Sequence, residues 1–122
     1  MRLNLRVTLP IAILALVAAV APVAGAADCS MVPGARCRNL DMRHLGTQMI
    51  GADMTGSDMR GADMRNMDLT RINLTNADLR GAKLSGATLN GANLTGTMMN
   101  GIHMKGVSMR GVVLHGTKLH MA

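Results

Sequence analysis

Every fifth residue from 49 to 119 is Leu or Met, without a break: Met49, Met54, Met59, Met64, Leu69, Leu74, Leu79, Leu84, Leu89, Leu94, Met99, Met104, Met109, Leu114 and Leu119. This period matches neither a helix, which repeats at 3.6 residues, nor a flat strand, which repeats at 2. It suits a short extended piece followed by a turn. Within the extended piece, the central Leu or Met and the residue two before it point to one side, and the flanking residues point to the other. The residue two before is most often small: Ala52, Ala62, Ala77, Ala82, Ala87 and Ala92. The flanks are polar, as in Asp58 and Arg60, Asp63 and Arg65, or Asp78 and Arg80. The Leu/Met and Ala columns therefore face a core, and the flanks face water. Two residues after the centre stands Gly at 51, 56 and 61 and at every fifth position from 81 to 116, where a corner needs positive φ or close backbone approach. Asn66 and Asn76 replace it with a residue that tolerates the left-handed region. Arg71 is the corner that this logic explains least.

The serial motifs Gly-Ala-Asp-Met, Asn-Ala-Asp-Leu and Gly-Ala-Asn-Leu resemble those of the pentapeptide-repeat family, over residues 47–121, with a degenerate repeat around Leu40, Asp41 and Met42. The resemblance implies an all-β fold: a right-handed quadrilateral, or square, β-helix solenoid with one pentapeptide per face. On that plan the chain makes just under four coils behind a short N-terminal cap. One departure is the complete lack of aromatic residues, where many members place Phe at some centres.

Three segments follow. Residues 1–26 read as a signal peptide: Arg2 and Arg6, an apolar run over residues 7–20, then Ala24-Gly25-Ala26 as a cleavage site. Residues 27–46 read as a disulfide-closed cap, and 47–122 as the β-helix. Cys29 and Cys37 are the only cysteines and enclose Pro33-Gly34. In an exported chain such a pair is a disulfide. A metal or catalytic thiol pair would want closer spacing or a nearby His. Leu40, Met42 and Leu45 stand out of register and are expected to lead the chain into the first coil and cover its apolar end, as solenoid termini require. Only His120, Met121 and Ala122 follow Leu119, so the other end is expected to expose backbone groups that can pair with a second copy.

The chain carries thirteen Lys and Arg against seven Asp and Glu; removing Arg2 and Arg6 leaves eleven against seven, a net of +4. All acidic residues end at Asp78. Arg80, Lys83, Lys105, Arg110 and Lys118, with His115 and His120, make the C-terminal half a basic surface for a partner or an anionic ligand. The histidines fall on diverging faces and are not expected to share a metal ion. Of thirteen Met, seven stand at centre positions and fit flexible core filling, whereas Met98 falls on an outward position.

No catalytic constellation is visible: Ser57 and Ser108 lack a general base, there is no Glu, and a solid core leaves no pocket. No cofactor is expected. The sequence thus predicts an exported, periplasmic or secreted bacterial scaffold or protein-interaction module, or else a binder of polysaccharide, lipid head groups or nucleic acid through the basic half. Membrane contact is expected only through the signal segment before its cleavage. Some relatives mimic DNA and inhibit topoisomerases, but that needs a strongly acidic cytoplasmic protein, which this sequence does not describe.

Overall fold

The computed structural model describes residues 29–120; the expected signal peptide lies outside them. No helix among the described residues is long and apolar enough to cross a membrane. The backbone winds in stacked coils of four faces, joined by single parallel bridges twenty residues apart. One face stacks Asp53, Asn73, Asn93 and Val113; the next stacks Asp58, Asp78, Met98 and Lys118. The third carries Asp63, Lys83 and His103, and the fourth Asp68, Thr88 and Ser108.

Four of the five backbone N–H groups in a repeat have a backbone partner, three of them in a neighbouring layer and one within the same turn. The centre donates to the layer above, as Met54 does to the Asn73 carbonyl at 2.8 Å. The residue before the centre donates to the layer below, as Asn73 does to Ala52 at 2.9 Å. The corner residue donates upward, as Gly56 does to Thr75 at 2.8 Å, and the Ala position closes the turn, as Ala77 does to Leu74 at 2.9 Å. The N–H just after the centre is left over. An Asp or Asn two residues earlier takes it: Asn73 Oδ1 accepts from Thr75 N at 3.1 Å and from Thr75 Oγ1 at 2.6 Å. This explains the Asp/Asn column, because an unserved amide beside the core costs stability.

The inward columns pack as expected through most of the stack. Met54, Met59, Met64, Leu69, Leu74, Leu79, Leu84, Leu89, Leu94 and Met99 are fully buried, with Ala62, Ala77, Ala82, Ala87 and Ala92 between them. Corner residues Asn66, Arg71 and Asn76 adopt the same positive φ as the glycines, between 57° and 60°. Arg71 thus occupies a true left-handed corner, at the cost a side chain carries there.

The ladder begins earlier than the regular repeat. Arg36 bridges Asp58 and Asp41 bridges Asp63, each twenty-two residues apart. Cys37 and Met42 consequently fill buried centre positions beneath Met59 and Met64. The two surplus residues are absorbed in a 3-10 segment, Arg43–Met49, which bends at Gly46 (φ 56°, ψ −120°). The degenerate repeat at Leu40, Asp41 and Met42 is therefore a working part of the stack. Cys29 is bonded to Cys37, with 4.7 Å between Cα atoms, and ties the incoming chain to this lowest layer. Thr97 and Thr117 use their hydroxyls on carbonyls of the coil below, Leu74 and Leu94. Ser57 occupies the same column above the irregular N-terminal layer, and its buried hydroxyl has no partner.

At the opposite end the expected burial fails. Leu114 and Leu119 are 43% and 38% exposed, and Val113 is 49% exposed. Leu114 and Leu119 stand in the inward centre column but have no further coil over them among the described residues, whereas Val113 stands in the outward Asp/Asn column.

Candidate functional site

Four aspartates and four arginines of the first coils are committed to one another. Asp41–Arg43, Asp58–Arg60, Asp63–Arg65 and Asp78–Arg80 each span one centre residue, and the Arg Nε and Nη2 donate to the two carboxylate oxygens. The Asp Oδ1 also accepts the Arg backbone N–H, so one side chain satisfies both the leftover amide and the guanidinium. Neighbouring layers are cross-linked: Arg43 Nε lies 3.6 Å from Asp63 Oδ2, and Arg60 Nε lies 3.6 Å from Asp78 Oδ2. The Arg65 side chain is the main cause that holds the Asp63 carboxyl at about 2, below its ordinary 3.8, helped by the Arg65 backbone N–H and the Arg43 charge against partial burial. Hydrogen bonds from Arg60 and Arg80 likewise lower Asp58 and Asp78. The stacking of Lys83 over Asp63 suggests an ion pair, but the carboxylate turns to Arg65 and Arg43 instead, because the fork of Arg65 reaches both oxygens within one face.

The predicted surface residues separate accordingly. Arg80 is exposed but paired with Asp78. Lys83, Lys105, Arg110, Lys118, His115 and His120 are exposed and make no ion pair. Of the described residues up to 78, six Asp (41, 53, 58, 63, 68, 78) balance six Arg (36, 38, 43, 60, 65, 71). From 79 to 120 there are five Lys and Arg and no acid. The described residues are thus neutral up to 78 and +5 from 79 to 120, before any histidine is charged.

The last coil brings most of these cations together around an open backbone edge. The N–H groups of Met104, Gly106, Met109, Gly111, Leu114, Gly116 and Leu119 have no bonding partner among the described residues, nor do the carbonyls of Ile102, Val107, Val112 and Thr117. Their counterparts one coil below are all paired. In this coil the Asp/Asn column is replaced by His103, Ser108, Val113 and Lys118. Two of the leftover amides are served from below: Asn90 Oδ1 accepts from Arg110 N at 2.9 Å and from Ser108 Oγ at 2.8 Å, and Asn100 Oδ1 accepts from His120 N at 3.2 Å. Sequence reasoning did not single out Asn90 or Asn100 for this role. The signal was present, since Asn90 and Asn100 each stand twenty residues before a repeat that lacks Asp or Asn.

A concavity of about 380 Å³ opens where the 3-10 segment leaves the stack, between Arg43 and Thr47 on one side and Arg65 and Asp68 on the other. Its two arginines are held by Asp41 and Asp63, so it presents no uncommitted cation.

Four-faced coils, a Leu/Met core column and a Gly/Asn corner column define a repeat solenoid. The sequence profile described as Pentapeptide repeats, in eight copies, matches residues 46–76, 58–96, 72–111 and 87–122. The chain belongs to the pentapeptide-repeat family, and its fold is a right-handed β-helix solenoid. Among solved structures it is similar to the pentapeptide repeat protein Rfr23 from the cyanobacterium Cyanothece 51142, with 29% identity and a TM-score of 0.54 over 56% of this chain and 47% of that one. The match therefore spans about half of Rfr23. A pentapeptide repeat protein of the Arabidopsis thaliana thylakoid lumen is 24% identical, with a TM-score of 0.38 over 66% of each chain. QnrB1, a plasmid-mediated fluoroquinolone resistance protein, is 18% identical, with a TM-score of 0.36 over 70% of this chain and 57% of that one. No curated protein matches the chain.

Proposed function

We propose that this protein is an exported, non-enzymatic scaffold that binds other molecules through the basic C-terminal end of its β-helix. The observation that carries this reading is the last coil, where an unpaired backbone edge is ringed by Lys105, Arg110 and Lys118 with no acidic side chain among its described residues. Natural proteins usually block such edges, and a row of free N–H and C=O groups is a template for another chain. The side-chain-filled interior supports a binding role over a catalytic one, since function then rests on outer faces and ends. Export is supported by the pattern of residues 1–26 and by the Cys29–Cys37 bond, which persists in an oxidising compartment such as the periplasm or the cell exterior.

A second reading is binding of an anionic surface, namely polysaccharide, lipid head groups or nucleic acid. The +5 half favours it through charge attraction that needs no shape match. The lack of aromatic residues removes base stacking as a contribution. Retention on heparin, an anionic polysaccharide, tests the basic surface common to both readings. The chain should bind at low ionic strength and elute with salt, and a K105E/R110E/K118E variant should pass through. A wild-type chain that is not retained at low salt removes the basic end as the working surface.

A further inference from the structure

We propose that the last coil is a docking edge for an acidic polypeptide segment laid parallel to residues 102–111. The inference rests on the basic interaction surface and names its partner class. On these two faces the N–H groups of Met104, Gly106, Met109 and Gly111 and the carbonyls of Ile102 and Val107 are unpaired. One layer below, the same positions show what they would bind. Leu84, Gly86, Leu89 and Gly91 donate to the carbonyls of His103, Lys105, Ser108 and Arg110 at 2.7–2.8 Å, and Ala82 and Ala87 accept from His103 and Ser108. An added layer thus needs one residue per face that gives both its N–H and its C=O to this edge.

The charge of that residue follows from the rest of the stack. Arg43 and Arg60 each reach up to an Asp in the layer above, 3.6 Å away, and each also has an Asp two residues before it. Lys105 and Arg110 occupy the equivalent positions but follow His103 and Ser108, and no layer of described residues lies above. The carboxylates that these cations lack are supplied by the residues that an added segment hydrogen-bonds to Ile102 and Val107. The residues beside them turn inward over Met104 and Met109, which are only partly buried. The segment is therefore small or apolar, then acidic, then large and apolar, twice in series at a five-residue interval. A second copy of this last coil brings cations against cations and no carboxylate. A lipid surface offers phosphate acceptors to the amides but no row of donors and acceptors fixed at the spacing of a strand.

The test uses a ten-residue peptide with the sequence of residues 61–70 and Thr in place of Arg65, which carries Asp at the two required positions. Binding to the full exported chain is followed by NMR and amide exchange. The peptide should protect the amides of Met104 and Met109, confine shift changes to the 102–111 edge and weaken with salt. Replacing both Asp by Asn, or N-methylating both Asp amides, should each weaken binding about tenfold. The K105E/R110E variant, with unchanged circular dichroism, should lose the peptide. Equal binding of the parent and N-methylated peptides would overturn strand addition while leaving the basic surface intact. Absence of both peptide binding and heparin retention would remove the two together. If the amides are already protected in a sedimenting dimer, the occupant is a second copy. If vesicles of anionic phospholipid protect them and the peptide does not, it is a membrane. Either result overturns the proposal.

Discussion

The side-chain oxygen of Asn90 accepts the backbone N–H of Arg110, one coil above, at 2.9 Å, and the Ser108 hydroxyl at 2.8 Å. Eight repeats serve that amide from within, through an Asp or Asn two residues earlier. Here Ser108 stands at that place, and the oxygen comes from the layer beneath. Asn90 is thus a rung between coils.

Asn90→Asp keeps the oxygen and should leave the melting temperature nearly unchanged. Asn90→Ala removes it, strands the Arg110 amide and should cost about 1 kcal/mol. Thermal melts of the two variants decide; equal stability would show that water serves the amide as well as Asn90 does.

Burial distinguishes two centres of the same column type. Leu89 is fully buried, and Leu89→Asp places a carboxylate there without a partner, so no cooperative melt should survive. Leu114 is 43% exposed at the open end, and Leu114→Asp should remain folded, within about 1 kcal/mol of the parent. A soluble, cooperative Leu89→Asp protein would refute the register.

The corners are coupled between layers. A Cβ on Gly86 would sit 2.2 Å from Asn66 Oδ1, whereas one on Gly81 meets nothing within 4 Å. Both have positive φ, 75° and 69°, so each Ala substitution carries a backbone cost of about 1–2 kcal/mol. Gly86→Ala should cost more than Gly81→Ala, and Asn66→Gly should remove the excess. A double-mutant cycle with no coupling would show that Asn66 simply swings aside.

Acid should loosen the N-terminal coils first. The folded-state value for Asp63, about 2, lies below the ordinary 3.8, so its contribution is complete above about pH 4 and is lost as pH falls through 2. Asp58 and Asp78 shift the same way. Melting temperature followed downward from pH 6 should fall in that window, less steeply in Asp63→Asn. Stability that is level to pH 2 would mean that these ion pairs add nothing to folding.

Intact mass of the exported protein checks the segment that precedes the described residues. The expected chain begins just after residue 26 and is two hydrogens lighter than the reduced form, through Cys29–Cys37. An N-terminus at Met1, or two free thiols, would contradict it.

The five-residue period determined most of this protein by itself. A strict repeat leaves each side chain one orientation, so the Leu/Met and Ala columns, the corner glycines and the outward Asp–Arg pairs could be placed by counting. The cysteine pair was equally legible, because two lone cysteines eight residues apart allow one bond. What counting could not give is anything that depends on which layer lies next. The sequence around Leu40 and Met42 is out of register, yet folding absorbs two residues in Arg43–Met49 and returns Cys37 and Met42 to the core. Leu114 and Leu119 obey the period and are exposed, because burial needs a neighbouring coil above and the described residues supply none. Asp63 prefers Arg65 to Lys83, a choice fixed by the reach of a bidentate guanidinium along one face rather than by stacking order. Periodicity specifies direction, whereas burial, pairing and the open edge are properties of contact between layers and exist only once the coils are stacked.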